Sequence, residues 1–140
     1  SCGPKTGRCK QRLANALERR KRDSHMFDLL ERDLPIGFFD FDARLGNLFW
    51  SPGTFRAYGR QPGTAVPTTL EQLLQVAPDC RDQAKADIFR VNQNAGVHKF
   101  VLPIVGMDGV TRQVASIVHS VLDDHGKLVQ IFGMVDEEPN

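Results

Sequence analysis

The sequence predicts an α+β domain: a five-stranded antiparallel sheet with short helices on one face and an N-terminal helix flanking the other. Three observations carry this. The order of apolar patterns is helix, two strands, several short helices, one longer helix, three strands. The closing stretch from Val97 to Asp136 reads as consecutive strands, VHKFVLPIVG, VTRQVASIVHSVL and KLVQIFGMVD. Asp108-Gly109 and Asp124-His125-Gly126 separate them, residues that adopt turn conformations at low cost. These strands are also apolar on both faces. In the first, Phe100, Leu102 and Ile104 oppose Val101 and Val105; in the third, Leu128, Phe132 and Met134 oppose Val129, Ile131 and Val135. A meander with one wet face would alternate with polar residues, so two covers are required.

The 140 residues suit one domain with a core of its own. Hydrophobic content of 41% and charged content of 25% are those of a soluble globular protein. No apolar run approaches the roughly 20 residues of a membrane span. Three cysteines, Cys2, Cys9 and Cys80, form no CxxC pair, which favours a reducing compartment over a disulfide scaffold. The expected setting is cytoplasmic, with any membrane anchor of a larger parent lying outside this stretch. The net charge of +1 hides an asymmetry: from Lys5 to Arg22 there are eight basic residues against Glu18 alone.

Residues 1–9 (SCGPKTGRC) lack periodicity and are expected to be a disordered tail. Residues 10–32 read as a basic, then amphipathic helical segment. Leu13, Ala16 and Leu17 start a seam that lapses over residues 18–25 and resumes at Met26, Phe27, Leu29 and Leu30, with Pro35 as terminator. The broken heptad argues against an autonomous coiled coil; a helix laying Met26, Phe27 and Leu30 on a sheet is the better account. IGFFDFDARLGNLFWS is a hairpin turning through Asp42–Asn47. SPGTFRAYG follows as a short helix with Ser51 or Thr54 as cap, Phe55 and Tyr58 inward and Gly59 as stop. After a Pro/Gly/Thr loop, Thr69 caps a two-turn helix with Leu70, Leu73 and Leu74 as its apolar face. Pro78-Asp79 opens a longer helix with Ala84, Ile88, Phe89 and Val91 inward, closed by Asn94-Ala95-Gly96.

Five stretches occur in order: GFFDFD…GNLFWS, SPGTFRAYGRQPG, PTTLEQLLQVAPDCR, MDGVTRQV and GKLVQIFGMVDE. With them, residues 33–137 resemble a PAS domain of the kind found in bacterial sensor kinases and diguanylate cyclases. The resemblance implies a cytoplasmic sensory or regulatory module of a multidomain signal-transduction protein, not itself catalytic, linked to an output domain of histidine kinase or cyclase type. The chain departs from the family at three places. Pro78-Asp79-Cys80-Arg81 stands for Pro-Asp-Asp-Arg, Val114 stands for a tryptophan, and Val135-Asp136-Glu137 stands for Asp-Ile-Thr.

Candidate chemistry is sparse. Cys80-Arg81 is similar to the flavin-adduct motif of LOV domains, but its neighbours Asp79, Asp82 and Gln83 do not fit Asn-Cys-Arg-Phe-Leu-Gln, so LOV-type flavin is disfavoured. The resemblance disfavours haem too: haem-binding PAS domains place a proximal histidine on the longer helix, and residues 79–94 contain none, while His98, His119 and His125 have no metal-ligand spacing. No phosphate loop, HExxH or Ser/His/Asp set occurs. No cofactor, metal site or catalytic residue is predicted.

An aromatic set remains. Phe39, Phe41, Phe49, Trp50, Phe55, Tyr58 and Phe89, with Leu74 and Ile88, serve either as plain core or as the wall of a small-molecule pocket for an apolar or aromatic ligand. Met26, Phe27, Leu30, Val129 and Ile131 are the candidate homodimer interface, the basis of an alternative reading as a ligandless dimerisation module. For Lys5–Arg22 the plain reading is a solvated helical linker. The sharper one is weak, salt-dependent contact with anionic surfaces, without specific nucleic-acid readout.

Overall fold

The computed structural model describes Gln11, Asn15, Met26 and residues 28–138. The expected tail at 1–9, the basic run Lys5–Arg22 and Phe27 lie outside the described residues, apart from Gln11 and Asn15. Two compact units divide the chain, residues 1–34 and residues 35–140. In the first, Met26 and residues 28–33 are helical, and Met26, Leu29 and Leu30 are exposed.

The second unit is a five-stranded sheet with short helices. Strands β1 (Ile36–Asp42) and β2 (Asn47–Trp50) form the first hairpin. The Asp42 carboxylate accepts the Arg44 and Leu45 amides at 2.9 and 3.2 Å, which fixes the turn. Helix α1 (Pro52–Ala57) follows. Ser51 precedes it without capping it, because its hydroxyl accepts the Phe38 amide instead, at 2.7 Å. Helix α2 (Thr69–Gln75) begins with a capping box. Thr68, not Thr69, is the cap: its hydroxyl takes the Glu71 amide while the Glu71 carboxylate takes the Thr68 amide. A 3₁₀ turn at Pro78–Cys80 leads into α3 (Arg81–Gln93).

Strands β3 (Gly96–Val105), β4 (Thr111–Leu122) and β5 (Leu128–Glu138) complete an antiparallel sheet in the order β2-β1-β5-β4-β3. The chain thus starts the sheet near one edge, crosses it through the helices, and returns with β5 into the centre beside β1. The β4–β5 ladder carries one irregularity at Val121/Leu122, which bends the pair.

Registers assign the faces. Phe39 and Phe41 on β1, Ile131 and Val135 on β5, Ser116 and Val118 on β4, and Phe100 and Leu102 on β3 point toward the helices. The opposite face carries Phe49, Asp40, Phe132, His119 and Val97 in one row across all five strands. A second row runs Phe38, Met134, Ile117, Lys99. The buried core, Ala57, Val76, Ala84, Ile104, Val114 and Val135, joins sheet and helices on the inner side.

Helix α1 lies flush on β1. A Cβ on Gly53 would overlap the Ile36 carbonyl oxygen, and a Cβ on Gly37 would overlap the Thr54 amide. Thr54, 1% exposed, donates its hydroxyl to the Phe38 carbonyl at 2.8 Å. The approach places Trp50, Phe55 and Tyr58 together: the indole meets the Phe55 ring edge-on at 5.3 Å and the Tyr58 ring at 4.7 Å.

Candidate functional site: an internal cavity

Between the inner sheet face and the helices lies a cavity of about 270 Å³. The sheet contributes the inward residues named above and Trp50; α1 contributes Thr54, with Tyr58 just after it. Helix α2 supplies Thr69, Gln72 and Leu73, and α3 supplies Ala84, Ile88, Val91 and Asn92. Two hydrogen-bonded anchors hold the helical wall. The Ser120 hydroxyl donates to the Val91 carbonyl at 2.7 Å, pinning the end of α3 to β4. Gln75, 5% exposed, donates its amide to the Tyr58 and Val105 carbonyls and accepts Arg60 Nε at 2.6 Å, tying α2 to β3 and the α1 turn.

The candidate residues divide. Phe39, Phe41, Trp50, Tyr58 and Ile88 line the cavity. Phe55 is buried but faces a second, shallower hollow with Leu48, Phe49, Pro52 and Val66. Phe49 is outward and exposed, because Trp50 takes the inward place and neighbours on a strand alternate. Leu74 and Leu70 are exposed, since the Gln75 bonds turn Leu73 and Gln75 inward instead. Phe89 is 67% exposed. The inward stripe of α3 is Ala84, Asp87, Ile88 and Val91, and Phe89 falls one position off it.

Among the outward candidates, Ile131 faces the cavity and not the exterior, whereas Phe132 and Met134 face outward. Val129 sits beside the β4–β5 irregularity, its carbonyl accepting the Ala43 amide.

Several lining residues carried no sequence signal of their own. Gln72, Asn92 and Ser116 bring polar atoms to a wall expected to be apolar. Gln72 donates to the Pro67 carbonyl at 2.9 Å. Asn92 and Ser116 form no side-chain hydrogen bond to another described residue. Ser116, Val118 and Val135 could have been assigned from strand alternation, once one inward residue per strand was known.

Desolvation pushes the Tyr58 hydroxyl up to about 12, so it is a neutral donor at ordinary pH. No described residue lining the cavity carries a formal charge. Among the described residues, no group of three or more His, Cys, Asp or Glu could hold a metal ion, and no helix is long and apolar enough to cross a membrane. Cys80 packs against the core and does not line the cavity. Gln130 turns outward and donates to Asp40 at 3.0 Å.

At the far end of the sheet, Arg112 grips Asp108 through both guanidinium nitrogens, at 3.0 and 2.6 Å, and its Nε lies 3.4 Å from Glu137. These bonds hold Asp108 down to about 2. The cluster fits only above glycine: a side chain at Gly59 or Gly106 would strike the Asp108 carboxylate.

No family model and no curated protein matches the sequence. Solved structures do. A sensory box histidine kinase/response regulator from Burkholderia thailandensis superposes with a TM-score of 0.64 at 16% identity, over 79% of this chain and 82% of that one. The N-terminal domain of a diguanylate cyclase with PAS/PAC sensor from Marinobacter aquaeolei gives 0.62 at 14%, over 73% and 94%. A LOV protein from Rhodobacter sphaeroides gives 0.59 at 18%, over 84% and 67%. At these identities the likeness is one of architecture, and the architecture of this chain is the PAS fold.

Proposed function

We propose that this chain is the sensory module of a multidomain signalling protein, taking its input as a small molecule in the internal cavity. One observation carries the reading: the cavity is lined from both layers, so occupancy acts on the sheet and the helices at once. Strand β5 places Ile131 and Val135 in its wall and continues to Glu138. A guest that shifts β5 biases one of two arrangements of the sheet, and differential affinity for them is the signal. The similarity to a sensory box histidine kinase and a diguanylate cyclase with PAS/PAC sensor supports a covalently linked output domain of one of those kinds. The module itself performs no catalysis in this reading, and its setting is cytoplasmic.

Native mass spectrometry of freshly purified protein tests this. A retained mass, or a saturable shift on screening, is expected; neither appearing sinks the proposal.

The second reading is a homodimerisation module, favoured by the exposed apolar rows of the outer face, where Phe49, Phe132, Ile117, Val97 and Val101 are 40–60% exposed. Contiguous apolar surface of this kind marks interaction sites. Met26, Phe27 and Leu30 are the N-terminal candidates of the same reading. The readings separate by melting. A ligand at a hundred times its Kd adds about 2.7 kcal/mol, whereas a dimer melts higher as protein concentration rises.

A further inference from the structure

Resting on the reading of the cavity as a ligand site, we infer that its ligand is an uncharged, planar one- or two-ring molecule bearing a hydrogen-bond donor and an acceptor, an aromatic carboxamide or lactam in class. The volume sets the scale. A cavity of about 150 Å³ accepts benzene, so about 270 Å³ has room for two fused rings or one substituted ring. Phe39, Phe41, Trp50, Tyr58 and Phe100 line it with aromatic surface, which favours a flat guest by stacking and edge contacts.

Charge narrows the class further. With no formally charged side chain in the described lining, a carboxylate, phosphate or ammonium would enter without a counter-charge, and burying an unpaired charge outweighs what ring burial returns. The polar groups then specify what the guest must carry. Asn92 on the helical wall offers a donor and an acceptor, Ser116 on the sheet wall offers both, and neither is engaged by another described side chain or backbone group. Both residues are half-buried, so water can satisfy them when the cavity is empty, and a guest that displaces that water keeps its affinity only if it supplies matching groups. A carboxamide or lactam answers an asparagine side chain in kind, acceptor to donor and donor to acceptor.

Trp50 is the chain's one tryptophan and lines the cavity, so its single indole N–H resonance reports on this site. Three probes of one ring system are titrated into the whole chain at neutral pH: 2-naphthamide, 2-naphthoate and naphthalene. The expected result is a saturable Trp50 shift with 2-naphthamide, at least tenfold tighter than with either other probe. Asn92→Leu should bring 2-naphthamide down to the naphthalene level; if that variant fails to fold, Ser116→Ala should weaken it severalfold. Naphthoate binding as well as the amide overturns the uncharged class while leaving the ligand-site reading intact. Naphthalene binding as well as the amide, or an Asn92→Leu variant that folds and binds unchanged, overturns the hydrogen-bonding requirement. No response to any of the three overturns the ligand-site reading, and this inference with it.

Discussion

Tyr58 is the chain's one tyrosine, so its ionisation can be followed without interference. Its ring packs against Trp50 in the cavity wall, and desolvation raises the hydroxyl from 10.0 to about 12. A raised folded value means that the unfolded chain releases the proton first. The contribution of Tyr58 is therefore complete below pH 10 and is lost as pH rises from 10 through 12, by an amount of order 3 kcal/mol. Phenolate absorbance should rise late, near the unfolding transition, and Tyr58→Phe should flatten the alkaline loss of stability. A titration centred at 10 with the protein still folded would contradict the buried placement. Asp108 works in the opposite sense. Held near 2 by Arg112 instead of 3.8, it favours the folded state above pH 3.8, and that advantage fades as pH falls from 3.8 toward 2. Asp108→Asn should be less stable at neutral pH and lose less on acidification, as urea unfolding at pH 7 and pH 3 would show. Gly37 and Gly53 show what a single sequence leaves hidden at this scale. Each reads as an ordinary loop or strand glycine, yet each is required because β1 and α1 touch backbone to backbone, a contact between residues sixteen positions apart. Gly53→Ala should cost about 3 kcal/mol by overpacking, and an unchanged denaturation midpoint would refute that packing.

The elements themselves were largely legible, because turn chemistry and apolar runs are local. Asp42, Asp108 and Asp123 each accept backbone amides within their own turns, and the three hairpins fall where those residues stand. Which face of an element looks inward was less legible, for two physical reasons. Strand β5 is apolar at both parities, so alternation alone left Ile131 and Phe132 equivalent until the registers with β1 and β4 separated them. The helices are short or weakly amphipathic, so a few hydrogen bonds outweigh their apolar stripes: Gln75 turns inward on its bonds to Tyr58 and Val105, and Leu70 and Leu74 are left outside. Five of the nine pocket candidates line the cavity because aromatic residues on β1 and β2 had few other places to be buried. Its polar members lay beyond sequence reasoning, since nothing local distinguishes Asn92 or Ser116 from solvent-facing residues. The local rule that does hold strongly is the capping box on α2. Thr68→Ala should cost about 1 kcal/mol, visible as a lower melting temperature. With the hydroxyl bond to the Glu71 amide lost at the rim of the cavity, any ligand affinity should fall as well; a variant as stable as wild type would show that the cap is not holding α2.

At the scale of the whole molecule, the sheet separates two kinds of surface that could each carry a signal. The inner face lines a partly open, neutral cavity; the outer face presents Phe132, Ile117 and Val97 to its surroundings. The His119 and Phe132 rings stack there at 5.0 Å, so the apolar row is braced before any partner arrives. Asp40, in the first row on β1, and Lys99, in the second row on β3, stand exposed toward opposite ends of this face. If two copies met face to face about a two-fold axis through the row, Asp40 of each would lie toward Lys99 of the other, which is the self-complementarity an isologous interface needs. Ile117→Lys places a charge in the centre of that surface without touching the cavity wall. On the proposed homodimer reading, it should lower the apparent mass in sedimentation from dimer to monomer and abolish the concentration dependence of melting, while leaving any ligand-induced melting shift in place. Asp40→Lys should weaken association by like charge, and Asp40→Lys with Lys99→Asp should restore it. If Ile117→Lys remains dimeric, the outer face is not the interface, and the apolar row must be covered by something other than a second copy.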